Sequence, residues 1–208
     1  MKKFPRKQDF FPADRIKRFT KDETWLKARG AKIQGSDMRV LCHQGFADES
    51  LFGVWSEKRA YLRGDMPPRG PRPHRLMTGR YVEPGILCAY EEIFDRKVIE
   101  AGNRTIWCHK TEDWLGCTLD ALQEHPEHGW GPVEVKNVSP ENVKEWKHAN
   151  RAPLRPWVQL QHQLMCTGFS GGWIVANLAN DEIKEWYEPA DHDFHQTMYD
   201  IADGSWQG

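Results

Sequence analysis

The sequence predicts an α/β (α+β) protein, a central mixed β-sheet flanked by helices. Three observations predict it. Helical patterns dominate residues 22–96, short apolar strands cluster over 104–138, and helix, strand and helix follow from 140 to the end. A strand that returns after a helix, next to an earlier strand cluster, buries a sheet between helical layers.

The elements follow in order. Residues 1–21 carry eight Lys/Arg against two Asp and read as an irregular basic arm, mobile or weakly docked. Asp22 to Arg29 reads as a short helix ended by Gly30. Gly35-Ser36-Asp37 opens a second helix through Leu41, with Ser36 or Asp37 as the N-cap. A third helix near 50–60 places Leu51, Val54 and Trp55 on one side. Residues 64–75 hold four prolines, two glycines and three arginines, an irregular loop and a candidate contact surface. Thr78 to about Arg96 is the clearest long helix, with Val82, Ile86, Ala89, Tyr90 and Ile93 at helical spacing and Glu83 off that stripe. Strands are predicted over 104–109, 114–118 and 133–138, with the polar turn 125–129 before the last. Helices over 140–147 and 156–167 follow, the second with Leu160, Leu164 and Met165 inward. Gly171-Gly172 precedes a strand over 173–178, and 181–186 and 193–202 read as helical.

The chain has 208 residues, enough for one well-buried core, and reads as a single domain. Mean hydropathy is −0.75 and no apolar run approaches the roughly 20 residues of a membrane span, so a soluble, cytoplasmic protein is expected. The five cysteines are scattered and odd in number, which predicts reduced thiols. Net charge is −1, which counts against a nucleic-acid binder, but the basic residues concentrate in 1–21 and 57–80. Such segregation can present phosphate-binding surface on one side.

The chemistry gathers at two segments, Leu115-Gly-Cys-Thr-Leu-Asp120 and Pro132-Val-Glu134-Val135-Lys136. Side chains alternate along a strand, so Glu134 and Lys136 share one face. If the strands pair, Asp120 meets Glu134 beside Lys136. Two close carboxylates repel unless a cation lies between them, and oxygen ligands suit a hard divalent ion such as Mg²⁺. A lysine at that spot can hold and polarise an attacking water, a design for metal-assisted phosphodiester hydrolysis.

Five pieces in order resemble the YqaJ/lambda-exonuclease group of phage recombination nucleases, within the PD-(D/E)XK superfamily. They are Trp25-Leu-Lys-Ala-Arg29 with Ile33-Gln-Gly-Ser36-Asp37; Thr78-Gly-Arg-Tyr-Val-Glu83-Pro84; Leu115 to Asp120; Glu134-Val-Lys136; and Gln159-Leu-Gln161-His162-Gln163-Leu164 with Thr167-Gly168. The resemblance implies a restriction-endonuclease-like core. It implies Asp120, Glu134 and the Val135 carbonyl as metal ligands, with Lys136 orienting or activating the water. Glu83 would support a second metal or accept the water's proton, and Gln161 would position Lys136 and the water. Arg29 and Ser36 would hold the 5′-phosphate of the DNA. It further implies Mg²⁺, replaceable by Mn²⁺, with two ions during catalysis. The substrate would be linear double-stranded DNA, digested 5′ to 3′ to leave 3′ overhangs, by a homotrimeric ring working with a single-strand annealing protein. The alternatives are an endonuclease of the same superfamily and a non-catalytic DNA-binding assembly subunit.

Nine histidines invite comparison with zinc sites. The closest pairs, His125/His128 and His192/His195, have no cysteine at zinc spacing, so zinc is not expected. Of the ten tryptophans, Trp55, Trp107 and Trp173 are read as core.

Overall fold

The structure is a computed structural model that describes residues 15–67, 74–102 and 104–207. The first fourteen residues of the basic arm and positions 68–73 of the Pro/Arg-rich loop lie outside the described residues. Helices α1 (Asp22–Gly30), α2 (Gly35–Leu41), α3 (Leu51–Leu62) and α4 (His74–Phe94) precede the main sheet. That sheet has five strands, β2 (Lys97–Glu100), β5 (Ala121–His125), β6 (Gly129–Val138), β7 (Gly171–Leu178) and β8 (Glu182–Pro189), in the order β2-β5-β6-β7-β8. It is mixed, because β6 and β7 run parallel and the other pairs antiparallel. The β6–β7 crossover is made by α5 (Val143–Lys147) and α6 (Leu154–Thr167), as a parallel pair requires. Helix α7 (His192–Gln207) follows β8.

A second sheet of three strands, β1 (Ile16–Arg18), β3 (Thr105–Cys108) and β4 (Gly116–Cys117), stands apart from the first. It is joined to the helical N-terminal part by Ile33, whose N–H donates to Trp114 O at 2.8 Å and whose carbonyl accepts Gly116 N–H at 3.1 Å.

The faces of the main sheet are covered differently. Val133, Val135, Trp173 and Val175 pack with Ile86, Leu87 and Tyr90 of α4. Ile174, Ala176 and Leu178 pack with Leu160 and Leu164 of α6 and Trp146 of α5. The alternation along β6 therefore sends Val135 toward α4 and Glu134 and Lys136 toward α6. A third cluster joins Met38 and Leu41 of α2, Leu115 and Cys117, Val158 and Cys166 of α6, and Met198 and Ala202 of α7.

The mixed, helix-flanked sheet is as predicted, and several elements differ. The stretch read as helix over 181–186 is the edge strand β8, paired with β7 from Leu178↔Glu182 to Gly171↔Pro189. Strands β1, β2 and β5 form where none was predicted. Helix α4 begins at His74 and ends at Phe94. The α2 N-cap is Gln34, not Ser36 or Asp37, and Asp37 Oδ2 accepts the Gln34 N–H at 2.8 Å, one half of a capping box. Trp107 and Trp173 are core, but Trp55 is 39% exposed, and Ile93 of the α4 stripe is 62% exposed. No helix is long and apolar enough to cross a membrane among the described residues.

Candidate active site

Asp120 ends the connection from β4 and immediately precedes β5, and the β5–β6 register sets Ala121 opposite Val133. This carries the Asp120 carboxylate to β6, where Oδ2 accepts the Val135 N–H at 2.9 Å. Glu134 is 2% exposed. One of its oxygens is in close contact with Lys136 Nζ, and the other accepts from Gln163 Nε2. Lys136 Nζ also donates to Gln159 Oε1 at 3.2 Å. Two carboxylates and an ammonium thus converge from adjacent strands, braced by two glutamines of α6.

Electrostatics show how crowded the acids are. Burial, then the Glu134 carboxylate, pushes the Asp120 carboxyl well above the usual carboxylate range, and Glu83 adds to this against the pull of Lys136 and the Val135 N–H. Burial also works against the charge on Lys136, but Glu134, Asp120 and Glu83 outweigh it and its pKa is raised. Lys136 is therefore a cation at neutral pH. Glu83, on α4, lies near enough for its charge to act on both groups, raising the pKa of each.

This donor set fits a hard divalent cation. Uncompensated acids of one sign are destabilised here, and oxygen ligands from Asp120, Glu134 and the Val135 carbonyl are of the type Mg²⁺ and Mn²⁺ take. Gln163 Oε1 is buried without a hydrogen-bond partner among the described residues, an acceptor suited to a water of a hydrated ion.

Gln161 is a correction. It is fully buried and faces away from Lys136: its Nε2 donates to Pro189 O at 2.9 Å, and its Oε1 accepts from the Asp191 N–H at 3.0 Å and faces His195 Nε2 at 2.9 Å. It fastens α7 to α6. The helical period explains the swap. Residues four apart share a face, so Gln159 and Gln163 look to the site together, while Gln161 stands about 200° around the helix from Gln159. The spacing alone could have found Gln159 and Gln163, because that pair brackets one face.

Arg29 and Ser36 are half-buried at the end of α1 and the second residue of α2. Gln34 ties them, its Nε2 reaching the Arg29 carbonyl at 3.5 Å. The Arg29 guanidinium lies 5.8 Å from the centroid of the Trp25 ring. Gly35 abuts the site helix so closely that a Cβ there would lie 2.8 Å from Gln159 Cγ. The start of α2 therefore touches the residue that bonds Lys136.

The hairpin histidines also meet. Ligand atoms of His125, Glu127 and His128 lie within 4.8 Å of one another. His125 Nδ1, however, accepts the Glu127 N–H at 3.1 Å, which leaves its proton on Nε2, and His128 stacks on Tyr187 at 3.8 Å. Both rings serve packing on the sheet.

Residues 24–170 match the profile of the YqaJ-like viral recombinase domain. The chain belongs to the YqaJ-like viral recombinase family. Among solved structures it is similar to an alkaline exonuclease from Laribacter hongkongensis, LHK-Exo. The match to that enzyme in complex with dAMP has a TM-score of 0.69 at 18% identity, over 88% of this chain and 90% of the other. A second LHK-Exo structure gives 0.67 at the same identity and coverage. No curated protein sequence matches. The likeness shows that this chain shares the fold of that alkaline exonuclease.

Proposed function

We propose that the protein is a Mg²⁺-dependent 5′→3′ exonuclease that degrades one strand of linear double-stranded DNA and leaves 3′ overhangs for single-strand annealing. The observation that carries this is the convergence of Asp120, Glu134 and Lys136, with Glu83 acting on the same groups. A divalent ion at Asp120, Glu134 and the Val135 carbonyl would supply Lewis-acid polarisation of the scissile phosphate. This chain's residues do the rest. Lys136, kept protonated by its acidic neighbours, orients the attacking water and offsets charge building on the phosphate. Gln159 holds the ammonium in place, and Gln163 holds the Glu134 carboxylate. Glu83 accepts the proton of the water. Arg29 and Ser36 bind the 5′-phosphate, the guanidinium as a fork on two oxygens and the serine through its hydroxyl. Mn²⁺ would substitute for Mg²⁺ at these oxygen ligands, and a second ion would be held with the help of Glu83.

The same reading places the protein in the cytoplasm of a bacterial or phage-infected cell. It acts there as a single-domain protomer of a homotrimeric ring, with an annealing protein that receives the exposed strand. LHK-Exo has been crystallised with dAMP, a mononucleotide of the kind this reaction releases, which favours stepwise end digestion. The test is incubation with end-labelled linear duplex and with closed circular duplex, with and without Mg²⁺ and a 5′-phosphate. The expected result is Mg²⁺-dependent shortening of the 5′-ended strand of the linear form to mononucleotides. Cutting of the closed circle would make the protein an endonuclease, and no cutting of either would leave a DNA-binding subunit.

A further inference from the structure

Helix α3 turns two faces to different surroundings. Its inner face is fixed. Lys58, 6% exposed, pairs with Asp37 at 2.6 Å. Tyr61 packs on Gly30 so closely that a Cβ there would lie 2.5 Å from the ring. Asp37 and Gly30 each follow directly on Ser36 and Arg29, so α3 lies against the residues assigned to the 5′-phosphate.

The outer face is aromatic and open. Phe52 is 73% and Trp55 39% exposed. Their rings stack at 5.9 Å with 27° between planes, and the Arg59 guanidinium lies 5.4 Å from the centroid of the Trp55 ring. Phe52, Trp55 and Arg59 line one side of a cavity of about 290 Å³, with Leu41 and Trp206 across from α3. A single exposed aromatic residue is ordinary. Two stacked rings joined by a guanidinium, on the helix that packs against the neighbours of Arg29 and Ser36, present the combination on which unpaired bases stack.

We propose that Phe52, Trp55 and Arg59 form a stacking ledge for an unpaired base of the DNA strand whose end is held by Arg29 and Ser36. The proposal rests on the nuclease reading above. The chemistry favours a base over a protein segment here: Lys58 is spent on Asp37 and Arg63 pairs with Asp65, but Arg59 lies on the open face against the Trp55 ring, where a guanidinium and an aromatic plane offer a base both charge and stacking. The stack is also partly assembled, so an added base meets a flat surface rather than one it must order.

The test uses the full chain in EDTA, where no cleavage occurs, with 5′-phosphorylated single-stranded oligonucleotides. One is intact and one has abasic residues at its first three positions. The parent protein is expected to bind the abasic strand about tenfold more weakly, in line with one stacked base. In Trp55→Ala, and separately in Phe52→Ala, that difference should shrink to about twofold or less. Arg59→Ala should weaken binding of both strands. These side chains are exposed, so melting profiles of the variants should match the parent's. An unchanged abasic difference in both aromatic variants overturns the ledge. A changed oligomeric state by sedimentation with an unchanged abasic difference also overturns it and assigns the face to a protein contact. Mg²⁺-dependent digestion by the parent is measured alongside. If the parent cuts and the ledge variants still discriminate, only the ledge fails; if the parent does not cut, the nuclease reading fails.

Discussion

Gln159 and Lys136 are joined by a hydrogen bond of 3.2 Å, across the interface between α6 and β6. The glutamine is thus a positioning residue for the ammonium, and Gln161, two residues on, is not. Replacing each by alanine should separate the roles. Gln159→Ala should lower kcat about tenfold or more with the melting temperature little changed. Gln161→Ala leaves the Asp191 N–H and Pro189 carbonyl without their partner and should cost about 1–3 kcal/mol of stability. Its activity well below the melting temperature should stay near the parent's. Kinetics and thermal melts on both variants check this, and the reverse pattern would falsify the assignment.

Lys136→Ala should reduce digestion of linear duplex by about 100- to 1000-fold, the loss typical of removing one donor to developing charge. Binding of the same duplex in EDTA should change little. A variant that still digests at the parent's rate would remove Lys136 from the chemistry.

Metal binding should depend on the acidic pair. Calorimetric titration with Mn²⁺ is expected to show binding to the parent that is lost in Glu134→Gln and in Asp120→Asn. In the parent, chelation with EDTA should abolish digestion, and Mg²⁺ or Mn²⁺ should restore it. Binding that survives both substitutions would place the ion elsewhere.

Gly35→Ala tests the link between the start of α2 and the site. The added Cβ would meet Gln159 Cγ at 2.8 Å and the Gln159 carbonyl oxygen at 3.3 Å, so both the side chain and the helix backbone must shift. The expected outcome is a fall in kcat of about the size seen for Gln159→Ala, together with a loss of about 1–3 kcal/mol of stability. The two substitutions combined should be no worse than either alone, since both act on one hydrogen bond.

His195 gives a pH signature. Burial, then His192, lowers its pKa to about 4 from an ordinary 6.5. The unfolded chain takes up a proton below pH 6.5 that the folded chain resists. The stability it contributes is therefore complete above pH 6.5 and is lost as pH falls toward 4. Unfolding free energies of the parent and His195→Gln should diverge least at pH 5 and below and most at pH 7. A constant difference across that range would show that His195 titrates normally.

Much of this was legible in the residues. The Asp120 and Glu-Val-Lys segments were readable because strand alternation and charge repulsion are local rules. The long helix followed from periodicity, and Trp107 and Trp173 were read as core because large apolar side chains are mostly buried. Strand β8 was not legible: Glu182-Ile-Lys-Glu-Trp-Tyr-Glu is rich in residues that favour helix, and only pairing with β7 selects the extended form. Its period of two is present, with Ile183 and Tyr187 toward one core and Trp186 toward the other. Trp55 was read inward because Leu51, Val54 and Trp55 share a helix side; what covers that side cannot be read from a single chain's spacing.

The groups assigned to the proposed reaction come from different strata of the molecule. Glu83 arrives from α4 on one side of the sheet, Gln159 and Gln163 from α6 on the other, and Asp120, Glu134 and Lys136 from the strands between. A chain still leaving the ribosome owns the acidic pair's first member long before α6 exists. Such a fragment lacks the glutamines that hold Lys136 and Glu134, so the acidic cluster is assembled only once the chain has been made through α6.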